Sequence, residues 1–343
     1  MLIKPKMLKA GDKVATISLS WGGAGDPELK WRYEQGVERL RTVFHLDVIA
    51  MPNSLKGSDF IYDNPKARAE DLMDAFKDPS IKGIISNIGG SESIRLLPYI
   101  DFDVIRRNPK VFIGYSDSTI THLFCHKAGI TSFYGPSLLV DFAENVEMHA
   151  YTIEALKKAL FAIDEIGEVK PATEWTSERV EWIIENKNRQ RNMNPNNGYE
   201  LLQGNGVVQG RLIGGCIEVL EFAKGTSLWP DQSYWDDSIL FFETSEDMPE
   251  PGLIEYWLRN YGSQGILQKA KGIVFGKPQK EKYYEEYKES IVKIMKELNL
   301  TELPILYNLN FGHTEPKFVL PYGTKAEINC ENVTFSILES GVK

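Results

Sequence analysis

Four short apolar runs in the first 115 residues alternate with amphipathic stretches, and that rhythm restricts the fold more than anything else in the chain. It is the signature of βα units laid on a mainly parallel sheet. The runs are Lys13 to Ser18, Leu46 to Ala50, Gly83 to Asn87 and Val111 to Gly114. The helices between and after them are Pro27 to Phe44, Ala67 to Phe76 and Ser116 to Lys127. In the first, Leu29, Tyr33, Val37, Leu40 and Val43 recur at helical spacing. A doubly wound sheet of this kind places its site at the carboxyl ends of its strands. Gly89-Gly90 and Ser116 both stand at such ends.

From about residue 163 to residue 200 the pattern lapses. Glu174-Trp175, Glu181-Trp182 and the polar run from Glu185 to Gly198 have the composition of an excursion or linker. A second αβ pattern follows, beginning with a strand within Gly206 to Ile213 and a helix opened by Gly214-Gly215. Strands are then expected at Ser238 to Glu243, Ala270 to Phe275 and Ile305 to Asn310. Helices are expected at Leu253 to Tyr261 and Glu281 to Leu298, with a terminal hairpin over Ala326 to Leu338. The expected organisation is an α/β domain over residues 1–165, a linker over 166–200 and a β/α domain over 201–343. A chain of 343 residues is long enough for two such cores.

Bulk properties exclude several classes. No apolar run approaches the roughly 20 residues that span a bilayer. The first residues, Met-Leu-Ile-Lys-Pro-Lys-Met-Leu-Lys, lack the apolar core of a secretory signal. Three widely spaced cysteines suggest no disulfide framework. A net charge of −9 argues against nucleic acid as a partner, since phosphate contacts need a basic surface. The expectation is a cytoplasmic protein with no membrane contact.

The chemistry centres on Val-Phe-Ile-Gly-Tyr-Ser-Asp, residues Val111 to Asp117. A buried strand that stops at Gly114 and passes through a serine into a helix is how a fold presents a nucleophile at an elbow. It is equally how a core strand ends on a turn that happens to contain serine. A serine nucleophile needs a base, usually histidine, oriented by a carboxylate. There are only five histidines. His45 and His149 suit surface or packing positions. His122 and His126 have i, i+4 spacing, which can bind zinc, but no third ligand accompanies them and the pair is structural. No metal or cofactor is therefore expected. His313, in Asn-Phe-Gly-His-Thr-Glu-Pro, follows a strand in a loop of the kind that carries catalytic groups. Glu243 ends the apolar run Ser-Ile-Leu-Phe-Phe-Glu. Singly, each has a structural explanation. Together, a serine, an acid and a histidine that each end a hydrophobic strand favour a catalytic set.

On these residues the chain resembles the LD-carboxypeptidase family of serine peptidases, which includes murein-peptide carboxypeptidases and microcin C immunity proteins. The resemblance runs from Leu-Lys-Ala-Gly-Asp-Lys-Val at Leu8, through Arg68-Ala-Glu-Asp-Leu-Met-Asp-Ala-Phe, Gly89-Gly90, Gly114-Tyr-Ser-Asp117, Gly210-Arg-Leu-Ile-Gly-Gly215 and Phe242-Glu243, to Gly312-His313-Thr-Glu-Pro. It implies Ser116 as nucleophile, His313 as general base and then acid, and Glu243 as the group orienting His313. It also implies an oxyanion hole from the backbone N–H groups of Gly90 and Asp117. The implied fold is an N-terminal α/β domain with a smaller C-terminal β/α domain and the site in the cleft between them. Members are commonly homodimers.

Two substrate classes follow from the resemblance. Murein-peptide members release terminal D-alanine from a tetrapeptide. Immunity-type members cleave the amide between an aspartyl group and a nucleotide-like sulfamate or phosphoramidate, with a tryptophan from an interdomain loop stacked on the base. Trp175 and Trp182 lie in such a segment, and with Gly89 and Ser91 on either side of Gly90 they are the expected substrate-binding residues. The stretch Ile-Gly-Gly-Ser-Glu-Ser also favours the immunity branch. One feature departs from it: some immunity proteins carry a lysine shortly after the catalytic glutamate, where this chain has Thr244-Ser-Glu-Asp-Met-Pro. The leading expectation is a serine peptidase or amidase of the immunity-like branch that cleaves an aspartyl nucleotide amide. The alternative is a murein tetrapeptide carboxypeptidase releasing D-alanine, and in either case the partner is a small peptide or peptidyl-nucleotide. A non-catalytic ligand-binding protein is the competing class. An amidotransferase would want cysteine at the elbow, and Gly204-Asn-Gly206 lacks the Lys-Ser/Thr of a phosphate loop.

Overall fold

The computed structural model describes residues 2–343. The first five strands are β1 (Lys13–Ile17), β2 (Asp47–Ala50), β3 (Ile81–Ser86), β4 (Val111–Gly114) and β5 (Phe133–Tyr134). The rest, in chain order, are β6 (Gly167–Glu168), β7 (Glu174–Trp175), β8 (Asn194–Pro195), β9 (Glu200–Gln203), β10 (Val207–Cys216), β11 (Ser238–Glu243), β12 (Gly272–Gly276), β13 (Ile305–Leu309), β14 (Leu320–Pro321), β15 (Lys325–Asn329) and β16 (Thr334–Ile337).

The N-terminal sheet has the order β14-β5-β4-β3-β1-β2, parallel from β5 to β2. Alternation along its strands builds two cores, because successive side chains leave a strand on opposite faces. Phe112 of β4 and Ala15 and Ile17 of β1 pack with Ala69, Leu72 and Phe76 of the helix Pro65–Lys77. Val111, Ile113 and Val14 pack on the other face with Val37, Leu40 and Phe44 of the helix Lys30–Phe44. The sheet is thus covered on both sides, as a parallel sheet must be. The first of these cores continues into the C-terminal sheet through Leu212, Ile239 and Ile273.

The C-terminal sheet has the order β6-β16-β15-β10-β11-β12-β13-β9. Its centre, β10 to β13, is parallel. The terminal hairpin β15–β16 adds on antiparallel. The two sheets exchange chain at β14, which leaves the C-terminal half to pair antiparallel with β5.

Two expectations need correction. Gly214-Gly215 does not open a helix: β10 runs through both, and the helix starts at Ile217. The glycine is there for contact between strands, since a Cβ on Gly214 would lie 1.8 Å from the Phe241 carbonyl oxygen. The segment 166–200 is also more than a linker. β6 pairs with β16, β7 pairs with β8, and Trp175, Thr176 and Val180 are buried. Thr176 exchanges backbone hydrogen bonds of 2.7 and 2.9 Å with Glu315, which straps the segment to the loop carrying His313. Among the described residues no helix is long and apolar enough to cross a membrane.

Candidate active site

β4 ends in a sharp turn. Ser116 has φ +61°, an uncommon conformation for a residue with a side chain, and it begins the 3-10 turn Ser116–Ser118 that leads into the helix Thr119–Ala128. Such left-handed residues typically cost on the order of 1–3 kcal/mol and persist where the surroundings hold them. Here the Ser116 N–H donates to the Tyr134 hydroxyl at 3.1 Å. Its carbonyl accepts from Thr119 Oγ1 at 2.7 Å. Gly89 presses on it from above, and a Cβ there would come 2.8 Å from Ser116 Cβ.

β11, β12 and β13 are parallel, so their carboxyl ends share one edge and their loops cluster there. Glu243 is the last residue of β11 and is 1% exposed. His313 lies just beyond β13. Its Nδ1–H donates to Glu243 Oε2 at 2.6 Å, and its Nε2 lies 3.1 Å from Ser116 Oγ. The Tyr134 hydroxyl donates to the other Glu243 oxygen, Oε1. Tyr115 packs edge-on against the imidazole at 5.0 Å. The serine, histidine and glutamate, far apart in sequence, thus form one continuous hydrogen-bonded chain.

A fourth group intrudes on it. Glu246 Oε2 lies 2.9 Å from His313 Nε2, on the same nitrogen that faces the serine. Burial alone would lower the His313 pKa, but Glu243 and Glu246 outweigh it and raise it to about 10. Hydrogen bonding to His313 holds the Glu246 carboxyl far below the usual carboxylate range.

The Gly89-Gly90 loop is fastened to the serine turn by Asp117. Its fully buried carboxylate accepts the N–H groups of Glu92 (3.0 Å) and Ser93 (2.8 Å) and the Ser93 hydroxyl (2.6 Å). The backbone of Gly89 closes on the Asp117 amide: a Cβ on Gly89 would lie 3.2 Å from that nitrogen.

Ser116, His313, Gly89 and Gly90 open onto a cavity of about 610 Å³. Trp182 lines it, stacked against Trp21 with ring centroids 6.5 Å apart and capped by the Arg32 guanidinium at 4.3 Å. Trp175 does not. Pairing in β7 turns it away, and it lies buried under Lys277, whose Nζ is 4.3 Å from the ring centre. Ser91 is exposed and also stands outside the cavity wall. His122 is buried with both ring nitrogens engaged: Nε2–H donates to the Gly114 carbonyl and Nδ1 accepts from Ser132, each at 2.9 Å. Burial lowers its pKa to about 3.

Sequence reasoning missed the deep wall. Arg191 pairs with Glu144 and, at 2.8 Å, with Glu315. Lys317, fully buried, bridges Glu315 (3.2 Å) and Asp141 (3.1 Å) and lies 3.6 Å over the Tyr115 ring. Burial would lower the Lys317 pKa, yet Asp141, Tyr115 and Glu315 more than reverse that. Glu315 sits inside Gly-His-Thr-Glu-Pro, so part of this network was visible as a motif. Trp21, just past the end of β1, had the same positional signal as Ser116.

Comparison with known proteins agrees with this architecture. Residues 14–135 match the model of the LD-carboxypeptidase N-terminal domain, and residues 209–328 that of the LD-carboxypeptidase C-terminal domain. The microcin C7 self-immunity protein MccF of Escherichia coli is 30% identical over 97% of this chain and 94% of its own length. A crystal structure of an MccF-like protein from Streptococcus pneumoniae in complex with AMP superposes with a TM-score of 0.88, at 36% identity, covering 95% of this chain and 98% of that one. MccF in complex with aspartyl sulfamoyl adenosine superposes with a TM-score of 0.83, at 27% identity, covering 99% and 100%. With both halves matched in order, the chain belongs to the LD-carboxypeptidase family of serine peptidases.

Proposed function

We propose that Ser116, His313 and Glu243 form a catalytic triad that hydrolyses the amide between an aminoacyl group and a nucleotide-like leaving group. The observation that carries this reading is the 3.1 Å and 2.6 Å hydrogen-bonded chain opening onto a cavity that also holds the Trp21–Trp182 stack. Ser116 Oγ attacks the acyl carbonyl while His313 Nε2, released from Glu246, takes the hydroxyl proton. Glu243 holds Nδ1–H and stabilises the imidazolium that forms. The negative charge on the former carbonyl oxygen falls to the N–H groups of Gly90 and Asp117, where one donor is commonly worth about 3 kcal/mol of barrier. His313 then gives its proton to the leaving nitrogen as the C–N bond breaks, leaving an acyl ester on Ser116. Water, deprotonated by His313, attacks that ester and regenerates the serine. A base that inserts between Trp21 and Trp182, whose ring centroids are 6.5 Å apart, contributes roughly 1–3 kcal/mol of binding, by analogy with aromatic–base contacts elsewhere.

The experiment is a mass-spectrometric cleavage assay comparing aminoacyl sulfamoyl adenosines with a murein tetrapeptide ending in D-alanine, with Ser116→Ala as control. Serine-dependent release of the amino acid from the nucleotide supports the proposal. Serine-dependent loss of D-alanine alone would make the protein a murein-peptide carboxypeptidase instead.

A further inference from the structure

We infer that Glu246 is a specificity-determining residue that selects substrates whose acyl residue carries a positively charged side chain and disfavours aspartyl and glutamyl groups. The inference rests on the aminoacyl-nucleotide reading above and specifies its acyl half.

Position is the first argument. Glu246 Oε2 is 2.9 Å from His313 Nε2, which is 3.1 Å from Ser116 Oγ, so the carboxylate lies no more than about 6 Å from the serine oxygen. In a near-attack geometry the acyl carbon sits about 3 Å from that oxygen. The α-carbon is bonded directly to that carbon, so the acyl residue's α-substituents, its side chain included, start within reach of Glu246.

Charge is the second. Five carboxylates line the cavity against three guanidinium groups, Arg32, Arg179 and Arg191. Two of the three are already paired with carboxylates, and the third is tied to backbone and amide oxygens. Arg32 donates to the Leu139 carbonyl at 2.6 Å and to Asn145 Oδ1 at 2.7 Å. Arg191 is held between Glu144 and Glu315. Arg179 is paired at 3.0 Å with Glu246 itself. An acidic acyl side chain would meet like charge beside the nucleophile, in a partly desolvated site where repulsion is screened least.

Fixity is the third. The loop that carries Glu246 is tied down on its inner side, where the Ser245 N–H and hydroxyl donate to half-buried Glu218 at 2.9 and 2.7 Å. The carboxylate is therefore presented, not trailing in solvent. Arg179 engages Glu246 Oε1, so it is Oε2 that a substrate cation takes from His313 Nε2; that leaves the nitrogen to Ser116 and couples recognition to assembly of the base.

The test is kcat/KM for lysyl, norleucyl and aspartyl sulfamoyl adenosine with the wild type, Glu246→Gln and Glu246→Lys. Norleucyl matches lysyl in length without its charge, and ratios between substrates cancel any common effect of the substitutions on His313. The expected result is a lysyl to norleucyl ratio of tenfold or more in the wild type, a fall of that ratio to near one in Glu246→Gln, and a preference for aspartyl over lysyl in Glu246→Lys. Ser116-dependent turnover with a lysyl to norleucyl ratio near one, or one unmoved in Glu246→Gln, would overturn the inference while leaving the amidase reading intact. Absence of Ser116-dependent turnover on all three substrates would overturn the amidase reading and the inference with it.

Discussion

Tyr134, on the N-terminal sheet, donates its hydroxyl to Glu243, at the end of a strand of the C-terminal sheet. The same hydroxyl accepts the Ser116 N–H at 3.1 Å. One phenol therefore ties the carboxylate of the proposed triad to the backbone of its nucleophile. Burial pushes its pKa well up, so it stays a donor at any working pH. Tyr134→Phe leaves one buried oxygen of Glu243 unpaired, at a cost of about 1–3 kcal/mol. The expected outcome is a kcat reduced by about tenfold or more with KM little changed, checked by steady-state kinetics beside a thermal melt. An unchanged kcat would remove Tyr134 from the working site.

The pH profile follows from His313. A general base must be neutral, and a pKa of about 10 keeps the free enzyme's imidazole protonated well above its ordinary value near 6.5. Activity in kcat/KM should therefore climb with pH through the neutral range and level off only near pH 10. Glu246→Gln removes one of the two carboxylates that raise the pKa, so its rising limb should move to lower pH. Superimposable profiles for the two proteins would show that Glu246 does not act on His313 in solution.

Lys317 is the single cation between buried Asp141 and buried Glu315 on the ion-pair chain behind the cavity. Replacing it with methionine strands Asp141 in the interior without a cation, while Glu315 keeps Arg191. Removing one partner of a buried pair typically costs about 3–5 kcal/mol. Denaturant unfolding should show a loss of that size in Lys317→Met, and a loss below 1 kcal/mol would mean that the site is wetter than it appears.

Gly89→Ala forces a methyl group to within 2.8 Å of Ser116 Cβ, closer than side chains approach. The serine must yield, and a displacement of about 1 Å at a reacting atom can cost a hundredfold in rate. A fall in kcat of that order with a thermal midpoint near that of the wild type is expected; wild-type turnover would mean that the loop moves instead.

The sequence carried the architecture well where strands were long and buried. Val111–Gly114, Ser238–Glu243 and Ile305–Leu309 were visible as apolar runs, and so were Ser116, Glu243 and His313 at or beyond their ends. Elements held by tertiary contact were not visible. β5 is two residues long, so nothing in Phe133-Tyr134 announces a strand or a hydroxyl aimed at Glu243. The two tryptophans of the interdomain segment looked equivalent, yet strand pairing buries Trp175 while Trp182 faces the cavity. Thr244-Ser-Glu-Asp was evident as an acidic stretch, but the contact between Glu246 and His313 depends on how two loops from different strands meet. Local pattern is silent on that.

The central claim is that Ser116 is the nucleophile, and turnover of an aminoacyl sulfamoyl adenosine by wild type and Ser116→Ala tests it most directly. Removing a serine nucleophile should lower kcat by at least about a thousandfold while the folded structure and thermal midpoint stay in place. Turnover by Ser116→Ala within tenfold of the wild type would contradict it.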